Sequence, residues 1–547
     1  MPVAQIFKIL FLAVGGMLVI AQMVYTPARP SWTYRVSAAT GAVIAALAVW
    51  GYFEFGDLHQ YGPYGRHFYH YHEIYHYYVG AKFYPELGNT QLYDCTYVAW
   101  NELAREGVII PKIRTIRSLE NPMQSATASS VLANKTRSCR ARFTDQRWSQ
   151  FKNDLKTLLG LGWYNQWWET ALFDLGFNPP PSWNVFGSTL AQIIPLTPFT
   201  MELLPWIDIT LVLGLASLLI FRAFGLFPTL AYLILFGNNW LSSYRWTGGS
   251  YFRQVWFFIL VAGICSLQLK RFRTAGLLLG LCSAFRIFPL VFAAGAAIPL
   301  AVEAWKSKEN RAPFVELVGA AVSSFGISVL CSLIVYGPAH WTEFFQKIIG
   351  HNHTYYVMHI GYEKFAVFSH DIGNQDFWYD AGLIRFSEWQ DRLSAAYAAQ
   401  MPLHALVKGT AVALATLASA ATTPAAAALV AGSCLFYFFS IPANYYYVYF
   451  ALFPVLFMSE PLKTLSWLRQ ALIFSLMVAI PIMPSLSNDL IIQNGYINTA
   501  ILLFLFALYA SYSFGTLAKI AIRKKNELLA RSAGPRTMSS THGDHTG

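Results

Sequence analysis

Charge is the first thing this chain lacks. Only 12% of its 547 residues are Asp, Glu, Lys or Arg, about half the roughly 25% usual in soluble domains. That scarcity, with 55% hydrophobic and 16% aromatic residues, excludes an ordinary soluble enzyme. Base-reading modules are absent too. The formal net charge of +11 therefore does not signal nucleic-acid binding. Much of it sits in short loops between apolar runs, where positive charge sets membrane topology. No internal repeat is visible. The first apolar run, 9–25, has no small-residue cleavage site and is soon followed by a second, so it reads as a membrane anchor. Cysteines number six. Cys265, Cys282, Cys331 and Cys434 lie in apolar runs and read as packing residues. Cys95 and Cys139 share one long polar loop. They are a disulfide candidate if that loop faces an oxidising compartment, and two free thiols otherwise.

What the chain has is apolar runs approaching the roughly 20 residues that span a bilayer. The fold class they predict is an all-α polytopic membrane protein of about 11–13 transmembrane helices. The expected spans are 9–25, 36–53, 203–221, 226–243, 253–269, 274–288, 289–304, 314–336, 404–421, 425–441, 444–458, 469–484 and 497–518. Basic clusters at Lys270–Arg273, Lys306–Arg311, Lys463–Arg469 and Arg523–Lys525 fall on one side if 274–304 enters and returns as a hairpin. Positive charge makes that side cytoplasmic. The hairpin breaks at "FRIFPL", Phe285–Leu290, where Pro289 interrupts the helix. Broken helices occur where they are buried in protein or line a cavity.

This parity divides the chain. Residues 1–53 hold two membrane helices and 54–184 form a long external loop. Membrane helices follow over 185–336, a second external loop over 337–403, and more membrane helices over 404–522. The tail, 523–547, is expected to be cytoplasmic and disordered. Ten of the thirteen histidines fall in the two external segments, which points to a shared polar site above the membrane. Within the first segment, "EIYHYYVGAKFYPELG" reads as an amphipathic helix ended by Gly88. "NPMQSATASS" reads as a flexible surface loop. Residues 142–176 read as helices lying on the membrane, with Trp148, Trp163, Trp167 and Trp168 as interfacial anchors.

The stretch "HYHEIYHYY" contains His72-Glu73-Ile74-Tyr75-His76, an H-E-x-x-H pattern. On a helix the two imidazoles share a face and can bind zinc while the Glu activates water. A third ligand is needed. Glu86 and Glu102 follow His76, but neither sits in a second motif. The match also arises in a His-rich stretch, where chance hits are common.

A longer pattern competes with it. "YHYHEIYHYYVGAKFYPELGNTQLYD" resembles the first external loop of GT-C glycosyltransferases that use polyprenyl-phosphate sugars, in particular their polyprenol-phosphate mannosyltransferase-like branch. "GGSYFRQVWFFILVAGICSLQLKRFRTAGLLLGLCSAFRIFPLVF" and "SIPANYYYVYFALFPVLF" resemble two further segments of that branch, in the right order. The family usually has Asp where this chain has Glu73. The resemblance implies a GT-C-like bundle and transfer of a sugar, hexose or pentose, from a polyprenyl-phosphate donor to a lipid or glycan acceptor, with inversion. The expected place is the bacterial inner membrane, with the site outside the cytoplasm. Glu73 becomes the catalytic base. His72, His76, Asp174, Glu54 and Asp57 become acceptor-side or supporting groups. Arg286, Arg253, Arg245, His351, His353, His359 and Lys364 become contacts to the donor phosphate. An Arg inside a membrane helix costs about 2.5–3.5 kcal/mol on insertion scales, so Arg286 needs a reason to be there. For Glu73 the alternative is an ion pair with Lys82 or Arg66; for Asp174 it is closing a loop. Metal dependence is open: some enzymes of this type use a divalent cation and others do not, and His suits magnesium poorly. A transporter or flippase of a lipid-linked or anionic substrate is the rival class, since broken helices and an intramembrane Arg suit it as well. A membrane zinc protease is the third.

Overall fold

Apolar runs become helices in the computed structural model, which describes residues 3–24, 31–60, 65–161, 165–371, 383–458 and 467–532. Six helices are long and apolar enough to cross a membrane: Gln5–Gln22, Trp32–Tyr52, Pro198–Phe224, Lys308–Tyr336, Met401–Ala420 and Leu490–Ser513. Shorter apolar helices fill in between them, at Leu226–Asn238, Val255–Gln268, Phe272–Phe285, Pro424–Phe439 and Trp467–Ile482. Helix Leu290–Lys306 and the 3-10 helix Asn444–Met458 stand at the two remaining expected spans. The chain is therefore a mainly helical, multi-pass membrane protein.

Local chemistry sets the helix limits. Ser31 accepts a hydrogen bond from Tyr34 N and caps the second span. Gly337, at φ +80°, ends the helix Arg311–Tyr336 and turns the chain straight into Pro338–Asn352. The hairpin break is real: Phe272–Phe285 stops at Arg286, whose backbone is extended, and the next helix begins at Leu290. At 1.5 Å per residue, the first arm is roughly 21 Å long, short of the roughly 30 Å hydrocarbon core. That arm lies against Arg311–Tyr336. A Cβ at Gly276 would stand 2.2 Å from Leu317 O, and one at Gly280 2.2 Å from Ala321 O. Small residues four apart let the two backbones touch. Helix Arg311–Tyr336 turns its other faces outward, with Val322, Ile327, Ile334 and Val335 exposed.

The first long segment between membrane helices, 54–184, folds on itself. Trp148, Phe151, Leu155 and Leu158 of helix Asp145–Gly160 are buried, and that helix packs on Leu92–Arg105. Trp148 gives its indole N–H to Glu102, 2.8 Å away. Trp168 is buried edge-on to Trp100. Both tryptophans are thus core residues of this segment, a correction to the anchor reading. Trp163 and the Trp167 side chain lie outside the described residues. Cys95 and Cys139 are bonded and tie Leu92–Arg105 to Ala128–Ala141.

Other expectations need correction. "NPMQSATASS" is no loose loop: Ser125–Thr127 pairs antiparallel with Thr115–Arg117, and a helix starts at Ala128. A second two-stranded ribbon, His59–Gln60 with Arg66–His67, adds to the strands in a mainly helical chain. Cys331 is exposed, not packed. The last helix runs to Ser532, past the expected start of a disordered tail, and 533–547 lie outside the described residues.

Candidate functional site

Two short stretches, far apart in sequence, build the site. The segment before Glu73 lies against the turn "RWTGGSYFR". His70 N donates to Gly249 O at 2.7 Å, and Tyr244 Oη donates to Phe68 O. Gly249 sits at φ +75°, and a Cβ there would stand 2.2 Å from Phe68 O. Only glycine permits that approach. His70 caps the helix that follows, accepting from Glu73 N at 3.4 Å. The helix widens into a π-turn over Ile74–Val79, a feature frequent at functional sites.

The second long segment, 337–403, docks on the first through Pro338–Asn352. Lys347 Nζ donates to Asn89 O at 2.6 Å and to Phe177 O at 2.9 Å. Burial pushes the Lys347 ammonium down to about 7, with Glu343 and Asp174 pulling the other way. Residues 358–360 then join 442–444: Asn444 N donates to Met358 O at 2.8 Å and Ile360 N to Pro442 O at 2.9 Å. This junction sets Tyr445 and His359 facing the Glu73 helix.

Between these parts lies a cavity of about 850 Å³. Nine of the expected residues line it: Glu73, His72, Asp174, Glu54, Asp57, Arg253, Arg245, His351 and His359. Its lining comes from the helix ends opposite the basic loops, among them Lys8, Glu54, Asn238, Arg253 and Leu490. Five histidines in its lining, His59, His70, His72, His351 and His359, come from both long segments. Burial holds His59 down to about 3 and His351 to about 4, and pushes His70, His76 and His359 well below the usual imidazole range. These five rings are neutral at pH 7.

Glu73 is buried and forms an ion pair with Arg253, not with Lys82 or Arg66. Lys82 pairs with Asp154 at 2.7 Å, and Arg66 with Asp57 at 3.7 Å. Ser250 Oγ adds a longer contact to Glu73, at 3.4 Å. Arg253 lies 4.1 Å above the Tyr445 ring and 5.1 Å from Tyr77. Its backbone N donates to Asp208 at 2.8 Å. Burial works against the guanidinium's charge, but Glu73 together with Tyr77, Tyr445 and Tyr446 holds the Arg253 pKa above its ordinary value. Phe252, the preceding residue, has φ +52°; Glu54, Phe55 and Leu58 are likewise left-handed. Strain of this kind gathers at functional sites, and four of the five non-glycine cases among the described residues adjoin this cavity.

The remaining expected residues divide. His76 stands behind His72, with ring centroids 4.2 Å apart, and is held by Tyr93 Oη at 2.8 Å from its Nε2. Arg286 does not line the cavity. It sits behind Tyr77, donating to the phenol at 3.0 Å, and its Nε and Nη1 have no acceptor among the described residues. Tyr77 thus separates two buried guanidiniums. Lys364 lies elsewhere, buried against Asp371 at 2.5 Å and Trp389. His353 is exposed and does not line the cavity. Asp174 faces the cavity, 3.4 Å from His72 Nε2, and accepts from Tyr356 Oη at 3.1 Å. Glu86 and Glu102 are far from a zincin's third-ligand position: Glu86 binds Arg147 at 2.6 Å and Glu102 binds Trp148.

Sequence reasoning passed over Lys8, Asp208, Tyr77 and Tyr93. Lys8 pairs with Glu54 at 2.9 Å, from within the first span. The argument that singled out Arg286, a charge in an apolar run, applies equally to Lys8 and Asp208. Tyr77 and Tyr93 carried no signal in a tyrosine-rich stretch. No family model, curated protein or solved structure matches this chain.

Proposed function

We propose that this protein is an integral membrane glycosyltransferase of the GT-C type. It moves a sugar, hexose or pentose with mannose among them, from a polyprenyl-phosphate donor to a lipid or glycan acceptor outside the cytoplasm. The bacterial inner membrane is the proposed location. One observation carries the reading: a large cavity at the non-basic ends of the membrane helices pairs a buried carboxylate with a buried guanidinium. The Cys95–Cys139 bond suits an oxidising compartment.

The chemistry is a single displacement. The acceptor oxygen forms a bond to the anomeric carbon as the bond from that carbon to the phosphate oxygen breaks. Glu73 takes the hydroxyl proton, and the lipid phosphate leaves with its electron pair toward Arg253. A positioned base of this kind contributes about 10²–10⁴ in rate. The Glu73–Arg253 pair gives the donor a second task. Arriving phosphate competes for the guanidinium and frees the carboxylate, so the base is released only when the donor is bound. Arg286, behind Tyr77, adds positive potential on the same side. Asp174, Glu54 and Asp57 are left to orient the acceptor.

The test follows transfer from a panel of radiolabelled polyprenyl-phosphate sugars in membranes, comparing the natural protein with Glu73→Gln. Transfer that disappears in a folded Glu73→Gln supports the reading. Undiminished transfer removes Glu73 as the base and leaves Asp174, Glu54 and Asp57.

A further inference from the structure

Each carboxylate lining the cavity has a cation beside it, with one exception. Glu54 has Lys8, Asp57 has Arg245 at 3.2 Å, and Glu73 has Arg253. Asp174 has His72 and the Tyr356 hydroxyl instead. Lys347 is near enough to feel Asp174, but its ammonium binds two backbone carbonyls.

His72, His76 and Asp174 each offer a donor atom, and the three atoms lie within 4.8 Å of one another. In a tetrahedral site with bonds of about 2.0–2.1 Å, neighbouring ligand atoms stand roughly 3.3 Å apart. His72 Nε2 and Asp174 Oδ2 stand 3.4 Å apart. Two of the three are also oriented from behind, as metal ligands generally are. Tyr93 Oη holds His76, and Tyr356 Oη holds Asp174 through its Oδ1 while Oδ2 faces His72. His70 is excluded from the set, because both its ring nitrogens are engaged, by Arg245 O and Glu73 N.

We propose that His72, His76 and Asp174 form a binding site for one divalent transition-metal ion, zinc best by its ligand chemistry. Two imidazoles and one carboxylate suit zinc, cobalt or nickel and suit magnesium poorly. Three protein ligands leave a coordination position, and His72 and Asp174 present it to the cavity. The site differs from the zincin arrangement: Glu73 is turned away to Arg253, and the third ligand comes from a residue nearly a hundred positions on. The site does not rest on the glycosyltransferase reading.

The full chain, purified in detergent and stripped with a chelator, would be titrated with zinc chloride against a fluorescent zinc chelator, with no sugar donor present. Elemental analysis would count bound metal. We expect one equivalent per chain, a dissociation constant at least about tenfold weaker in Asp174→Asn and His72→Ala, and a four-coordinate cobalt spectrum in the natural protein that both variants lose. Asp174→Asn keeps the side chain's shape, so its unfolding midpoint separates lost binding from lost folding. No stoichiometric zinc in the natural protein, or unchanged affinity in folded Asp174→Asn, overturns the site. Absence of sugar transfer would leave it standing.

Discussion

Breaking the Glu73–Arg253 pair from one side should cost more than removing both charges. The two side chains are only 9% and 5% exposed, so either group left alone is an uncompensated buried charge. Breaking such a pair costs about 3–5 kcal/mol. Both residues line the cavity, so the lower end, about 3 kcal/mol, is expected for Glu73→Gln. Arg253→Met leaves Glu73 with Ser250 as a distant partner, and the carboxylate can escape by taking a proton. Its cost should therefore be somewhat smaller. The double variant replaces the pair with neutral groups of similar size, which is often close to neutral in stability. With single costs of about 3 and about 2 kcal/mol and a double variant near zero, a double-mutant cycle should return a coupling of about 5 kcal/mol. The assay is unfolding in mixed micelles at pH 7, followed by tryptophan fluorescence. Because the pair is buried, the coupling should persist when salt shrinks the Debye length from about 10 Å to about 3 Å. A coupling below about 0.5 kcal/mol, the limit of additivity, would refute the reasoning. The pair would then be water-screened, and phosphate would meet no competition for Arg253.

Other expectations follow from the same geometry. Glu73→Gln should bind polyprenyl phosphate several-fold more tightly than the natural protein in an equilibrium binding assay, since Arg253 is released to the ligand; weaker binding would remove the competition. Lys347 bears on pH dependence: its pKa falls from 10.5 to about 7 on folding. Between those values the unfolded chain holds the extra proton, so this residue's contribution to stability rises as pH climbs from about 7 to 10.5. Unfolding midpoints across that range should rise less in Lys347→Met, and parallel curves would show that the residue does not titrate so. Reducing the Cys95–Cys139 bond, which closes a separation of 44 residues, removes about 4 kcal/mol by the loop-entropy estimate. Limited proteolysis should then cut residues 92–160 faster, and unchanged cutting would count against a stabilising bond. In a Cys331→Ser background, Ile109→Cys should react with an impermeant maleimide from outside the cell and Trp305→Cys should not, both sites being about nine-tenths exposed. The reverse pattern would place the cavity in the cytoplasm and end the lipid-donor reading.

How much of this was legible depended on whether the signal was local. Membrane spans were, because a run of apolar residues and a flanking basic loop are neighbours in sequence. The break at Arg286 was legible for the same reason: Pro289 interrupts its own helix. Trp148 and Trp168 were misread because an amphipathic helix with tryptophans looks alike whether its apolar face meets lipid or protein. Here the covering surface is Leu92–Arg105 and its surroundings, bonded through Cys95, and no pattern within residues 142–176 announces it. "NPMQSATASS" was misread because pairing with Thr115–Arg117 outweighs a composition rich in small polar residues.

The site itself shows a subtler division. Residue types and the two long segments that carry them were readable, and nine expected side chains meet in one cavity. Partners were not. Glu73 and Arg253 are brought together by Gly249 closing on Phe68, a contact between stretches some 180 residues apart. Asp174 reaches His72 across about a hundred residues of the first long segment. The H-E-x-x-H pattern was informative about its histidines and misleading about its glutamate. On a helix, adjacent residues point about 100° apart, so the face that gathers His72 and His76 with Asp174 cannot also hold Glu73. That separation lets one short helix serve two chemistries: an imidazole pair on one side of the cavity and, on the other, a carboxylate whose availability depends on what else Arg253 binds.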